Sequence, residues 1–140
     1  MKIKKGDKLP DAKVFILEPD PKEVSIKKIV GNEKVILFGL PGAFTPTCSA
    51  KHLPGFIIAI DQLKKKGIKK VVCISVNDPF VMDAWGKTHN VQDKILMVGD
   101  SKGDFTKNDT FDISTLNTGT YIVKVEDNNN KTKTTKLVKL

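Results

Sequence analysis

Pro41, Thr45, Pro46, Cys48 and His52 sit close together in the chain, and their types and spacing set out a piece of thiol chemistry. The apolar run of residues 34–40 (KVILFGL) ends directly in this stretch, and a helical pattern begins at about Thr47. Cys48 therefore falls where a strand hands over to a helix. The first free backbone N–H groups of a helix and its dipole favour an anion, so this position predicts a thiolate, the nucleophilic form of cysteine. Thr45, three residues earlier, can turn its hydroxyl toward the sulfur or toward an oxygen bound beside it. Pro41 and Pro46 stiffen the loop, which suits a preorganised site. The competing reading is a buried, inert cysteine, the commonest state of a free thiol, and position alone leaves the two open. His52, one helical turn after Cys48, is either a proton partner or a polar residue beside the pocket mouth.

The elements that must position these residues follow from periodicity. Residues 13–17 (KVFIL) read as a strand, and the following EPDPKE as a turn, because its two prolines exclude helix. Ser25 opens a short amphipathic segment. Residues 34–40 have the near-continuous apolar pattern of a strand covered on both faces. From Thr47 to about Lys66, Leu53, Phe56, Ile57, Ile60 and Leu63 share one helical face, and Pro54 interrupts the ladder near the first turns, which predicts a kinked helix. Gly67 closes it, and residues 70–76 (KVVCISV) give a second buried strand, making a right-handed parallel unit. Asp78 and Pro79 read as the N-cap and first residue of another helix, ending near His89 or Asn90. Residues 95–98 and 121–126 read as further strands, Asn128 to Asn130 as a hairpin turn, and the closing KTKTTKLVKL as an antiparallel edge strand whose lysines discourage edge association.

The composition narrows the function classes. The chain has 140 residues and a formal net charge of +8, and all 24 of its basic residues are lysine. This predicts one domain over residues 1–140, with no repeat or linker. No apolar run approaches the length of a membrane span, and the N-terminus has no secretory pattern, so a soluble, cytoplasmic protein is expected. The lysines are scattered, are not interleaved with aromatic platforms, and lack the arginine that usually reads base edges, which argues against nucleic-acid binding. Cys48 and Cys73 are too few for a disulfide scaffold and complete no zinc site; Asp100 and Asp104 bracket a glycine turn but form no full calcium loop. Neither a metal nor a bound cofactor is expected. Cys73, flanked by Val72 and Ile74 in a strand, reads as a core residue rather than a resolving thiol.

Pro41-Gly-Ala-Phe-Thr45-Pro-Thr-Cys48-Ser resembles the active-site loop of peroxiredoxins, whose pattern is proline, three residues, threonine, two residues and the peroxide-attacking cysteine. With His52-Leu-Pro-Gly-Phe56, Val72-Cys-Ile-Ser-Val-Asn-Asp78, Phe80-Val-Met and Ala84-Trp85-Gly86, the form resembles the type-five branch, the antioxidant-protein or glutaredoxin-linked group. The resemblance runs continuously from around Lys4 to Lys107. It implies a thioredoxin-like α/β fold, a central mixed β-sheet flanked by helices, and thiol-dependent reduction of hydrogen peroxide and organic hydroperoxides. On that analogy Cys48 attacks the O–O bond and becomes a sulfenic acid, and Thr45 hydrogen-bonds the peroxide. Pro41 shields the sulfenate, the Cys48 N–H holds the oxygen under attack, and His52 borders the substrate pocket. The implied cycle uses one cysteine and an outside thiol, which is glutathione, glutaredoxin or thioredoxin, in a homodimer.

The chain also departs from that pattern. Peroxiredoxins carry an arginine in the C-terminal half that faces the cysteine, and this chain has none. Residues 112–119 connect almost directly to Tyr121, as if a short piece holding the arginine were removed, and the usual C-terminal helix has no counterpart. Lys124 is a candidate substitute, as a point charge without the planar fork of a guanidinium. The alternative reading is thus a catalytically weakened thioredoxin-fold redox sensor or binding protein.

Overall fold

The computed structural model describes residues 8–106 together with the backbone of residues 119–126 and 132–139. Apolar runs become strands and amphipathic runs become helices in the order β1 (Lys13–Glu18), β2 (Asp20–Ser25), α1 (Ile26–Val30), β3 (Val35–Gly39), a π-helical turn (Cys48–His52), α2 (Leu53–Lys65), β4 (Lys70–Ser75), α3 (Pro79–Thr88), a 3₁₀ turn (Gln92–Lys94), β5 (Leu96–Gly99), β6 (Gly119–Glu126) and β7 (Thr132–Lys139). The first five strands form one sheet in the order β2-β1-β5-β4-β3. Its β3, β4 and β5 run parallel, while β1 is antiparallel to both β2 and β5. This is a thioredoxin-like α/β arrangement, a mixed sheet flanked by helices. Strands β6 and β7 make a separate antiparallel hairpin beside β3.

The apolar runs of β3 and β4 are continuous because both sheet faces are covered. Ile36, Phe38, Val71 and Cys73 face one core with Leu53 and Ile60 of α2 and Met82 and Trp85 of α3. Val35, Leu37, Val72 and Ile74 face the other with Val14, Ile26, Ile29 and Phe105. Cys48 belongs to the first core, so the helices that bury that face also seat the thiol.

Two expectations change. The segment expected to turn at EPDPKE is mostly strand: β2 pairs with β1 from Lys13↔Ser25 to Glu18↔Asp20, with only Pro19 at the bend. Pro21 is accepted because β2 is an edge strand, where a missing N–H breaks no ladder. The kink expected from Pro54 takes the form of a widened turn. The Leu53 N–H reaches back five residues to the Cys48 carbonyl, and regular helix resumes with Pro54 in its first positions. Proline has no N–H and its ring crowds the carbonyl four residues back, so the widening just ahead of it accommodates both defects.

The helix limits at α3 follow the sequence reading, with Asp78 capping the Val81 N–H at 2.9 Å and Pro79 opening the first turn. Gly67 closes α2 with a positive φ of 84°. The Asn128 to Asn130 turn and residues 112–118 lie outside the described residues, as does the Lys124 side chain.

Candidate functional site

β3 delivers the loop of residues 40–47 at the C-terminal edge of the sheet, and Leu40 is still tied there by its N–H to the Ile74 carbonyl at 3.1 Å. Phe44 takes a left-handed φ of 61°, a conformation that costs energy for a bulky side chain and turns the chain sharply into the helix. The first backbone bond of the helical run joins Ser49 N to Thr45 O at 3.0 Å. Cys48 therefore lies in the first turn, ahead of the regular ladder, where backbone N–H groups point outward. Its side chain is buried, with the residue 6% exposed.

Thr45 turns its hydroxyl inward and donates to the Gly42 carbonyl at 2.9 Å. That bond uses the hydroxyl proton and leaves lone pairs on Oγ1 free to accept. Pro41 and Pro46 are exposed at the surface of the loop. The His52 ring lies 5.3 Å from that of Phe38 and 5.7 Å from that of Phe56, while Phe38 and Phe56 stack at 3.9 Å. Burial holds the His52 pKa below its ordinary value, and its Nε2 is buried without a hydrogen-bond partner. His52 thus forms part of the aromatic packing next to the π-helical turn.

Cys73 sits mid-strand in β4, opposite Phe38 and Met97. Burial first, and the nearby Cys48 second, push its thiol pKa well above the ordinary value. Both cysteines are free thiols.

Further residues, whose supporting roles the sequence patterns did not indicate, help to hold the site. Asn77 accepts the Ala43 N–H at 2.7 Å through Oδ1, and Ser75 Oγ donates to the same oxygen at 2.9 Å. Trp85 Nε1 donates to Ser49 Oγ at 3.0 Å, tying α3 to the residue after Cys48. Asp100 is fully buried, and its carboxylate accepts from Phe105 N, Thr106 N and Thr106 Oγ1, closing the turn after β5. Among the described residues no cluster of His, Cys, Asp or Glu is arranged to hold a metal ion. A cavity of about 180 Å³ lined by Ile60, Lys64, Lys69, Lys94 and Leu96 lies by the start of β4, at the opposite end of the sheet from Cys48.

A family model described as Redoxin matches residues 4–137. Peroxiredoxin-2E, chloroplastic, of Arabidopsis thaliana is 48% identical over 107 residues, which cover 74% of this chain and 46% of that protein. The match to Peroxiredoxin-2D of the same plant covers 64% of its length, so the chain spans about half to two-thirds of these curated relatives. Among solved structures, reduced Prx3 from Vibrio vulnificus superposes with a TM-score of 0.78 at 37% identity, covering 99% of this chain and 88% of that one. The same protein's reduced form in complex with hydrogen peroxide gives a TM-score of 0.71 at 44% identity, covering 75% of this chain and 66% of that one.

Proposed function

This chain belongs to the redoxin family, among whose members its relatives are peroxiredoxins, and from that membership we propose that it is a thiol-dependent peroxidase acting through Cys48. The observation that carries the reading is the seat of Cys48: a buried thiol in the first turn of a helix, at the end of a loop whose Thr45 oxygen has lone pairs free to accept. The Cys48 thiolate attacks one oxygen of the peroxide, the S–O bond forms as the O–O bond breaks, and the second oxygen leaves as water or an alcohol after taking a proton. Thr45 Oγ1 accepts the peroxide O–H, and the Cys48 N–H stabilises charge on the oxygen under attack. Pro41 borders the mouth of the pocket and limits water at the sulfenate. His52 supports the pocket through Phe38 and Phe56 rather than as a proton donor, because burial favours its neutral form.

The sulfenic acid then condenses with an outside thiol, releasing water and forming a mixed disulfide that a second thiol reduces. Glutathione, glutaredoxin and thioredoxin have the required chemistry. Cys73, buried in β4 with its thiol held protonated, suits a core role, which leaves a one-cysteine cycle. No bound cofactor enters these steps. We place the chain in the type-five branch on its loop and its SVND and AWG segments, and in the cytoplasm; no helix among the described residues is long and apolar enough to cross a membrane. A homodimer through the loop face is supported by Phe44 and Phe80, which are 54% and 58% exposed, and by the adjoining Val76.

The absence of arginine favours one second reading, a redox sensor or binding protein with the same loop and slow chemistry. The second-order rate of Cys48 with hydrogen peroxide separates the two. Fast, saturating oxidation that disappears in Cys48→Ser supports the enzyme, and a rate at the background of an ordinary thiol rejects it.

A further inference from the structure

The Gly42–Ala43 peptide is gripped on both sides. Its carbonyl accepts the Thr45 hydroxyl at 2.9 Å, and its N–H donates to Asn77 Oδ1 at 2.7 Å. A peptide unit is planar, so fixing the N–H end fixes the direction in which the carbonyl points. The direction of that carbonyl in turn decides where the Thr45 O–H aims and where its remaining lone pairs face. Asn77 lies 34 residues away in sequence, in the connection between β4 and α3, and touches none of the reacting atoms.

Asn77 is itself held from several directions. Ser75 Oγ, on a residue only 3% exposed, donates to Oδ1 at 2.9 Å. The Asn77 carbonyl lies against Gly99 so closely that a Cβ there would stand 2.6 Å from it. Asp78, the next residue, is fixed as the N-cap of α3. The carboxamide therefore ties the loop to two strands and a helix through the one peptide that also carries the Thr45 hydroxyl bond.

We propose that Asn77 is a positioning residue for the peroxide reaction, setting the orientation of the Thr45 hydroxyl through the Gly42–Ala43 peptide. The proposal rests on the peroxidase reading and deepens it. It assigns to the SVND segment a task beyond capping α3: its asparagine registers the substrate-facing loop against the sheet.

The test measures two rates at Cys48 in the full chain, oxidation by hydrogen peroxide and alkylation by iodoacetamide, and reads their ratio, which divides out any change in the amount of thiolate. Asn77→Ala is expected to lower the ratio by about tenfold, because a small misplacement of a substrate-contacting group is costly while simple alkylation needs no oriented hydroxyl. Asn77→Asp, which still offers an acceptor to the Ala43 N–H, is expected to restore most of it. Thr45→Val combined with Asn77→Ala is expected to be no worse than Thr45→Val alone, since both act on one hydroxyl. A ratio within about twofold of the parent in folded Asn77→Ala, or losses that multiply in the double variant, would overturn the proposal.

Hydrogen exchange at the Ala43 amide supplies a reading independent of peroxide chemistry. The amide is expected to be protected in the parent and to exchange faster in Asn77→Ala or, if that variant does not fold, in Asn77→Ser; equal exchange rejects the positioning role. A parent protein at background peroxide rate sinks the peroxidase reading instead, and in that case the Ala43 amide alone decides whether Asn77 holds the loop.

Discussion

His52 shows how a polar residue one turn from a cysteine can be silent at neutral pH and costly in acid. Its folded pKa lies below the ordinary histidine value of about 6.5, because burial against Phe38 and Phe56 disfavours the charged ring. Between the folded and unfolded values the unfolded chain binds a proton that the folded chain does not, so stability falls as pH drops through 6.5 and stops falling once the folded ring also titrates. Urea unfolding at a series of pH values should show this loss in the parent and a smaller one in His52→Phe, which keeps the ring stack without the titrating nitrogen. An equal acid loss in both proteins would remove His52 as its source. At this scale the sequence foretold where Pro41, Thr45 and Cys48 lie, between the end of β3 and the first helical turn, because their spacing is local. It could not reveal Asn77, Ser49 or Asp100 as supports, because their bonds depend on which elements meet in space. A histidine one turn from a cysteine also reads the same whether its nitrogen meets solvent or a phenyl ring.

The elements were legible where the cause was local: Ser25 and Asp78 cap α1 and α3, Gly67 ends α2, and the apolar runs of β3 and β4 pair in parallel. They were less so where tertiary position overrode a local signal, as when the edge of the sheet made room for Pro21 in β2. Two glycines show the same contrast. A Cβ at Gly86, inside α3, would meet Met97 Cγ at 2.9 Å, and that side chain is flexible. A Cβ at Gly99 would meet Asn77 O at 2.6 Å, Asp78 C at 2.9 Å and Pro79 N at 3.0 Å, all of them backbone. Gly99→Ala is therefore expected to destabilise by about 1–3 kcal/mol or more. Gly86→Ala should come out nearer neutral, since a helical alanine gains up to about 1 kcal/mol over glycine. Denaturation midpoints of the two variants check the order, and a milder effect at Gly99 would mean that the β4–α3 connection yields more readily than its contacts indicate.

For the whole molecule, the sheet works as a divider: one face carries α1 and Phe105, and the other carries α2, α3 and the thiol. The loop of residues 40–47, Val76 and Phe80 gather beyond the C-terminal edge of the parallel strands, where Phe44, Val76 and Phe80 are exposed; a fourth exposed apolar residue, Ile58, lies on α2. If copies of the chain pair through that face, Phe80→Asp should shift the sedimentation coefficient toward that of a monomer and leave the circular dichroism unchanged. A parent protein already monomeric at high concentration would reject the dimer. The molecule's one tryptophan, Trp85, is buried in the core and donates its indole N–H to Ser49, the neighbour of Cys48. Indole emission shifts in colour and intensity when that N–H loses its acceptor or meets water. The protein therefore has an intrinsic optical gauge beside its sulfur, and any step that unwinds the first helical turn can be timed by fluorescence without attaching a dye.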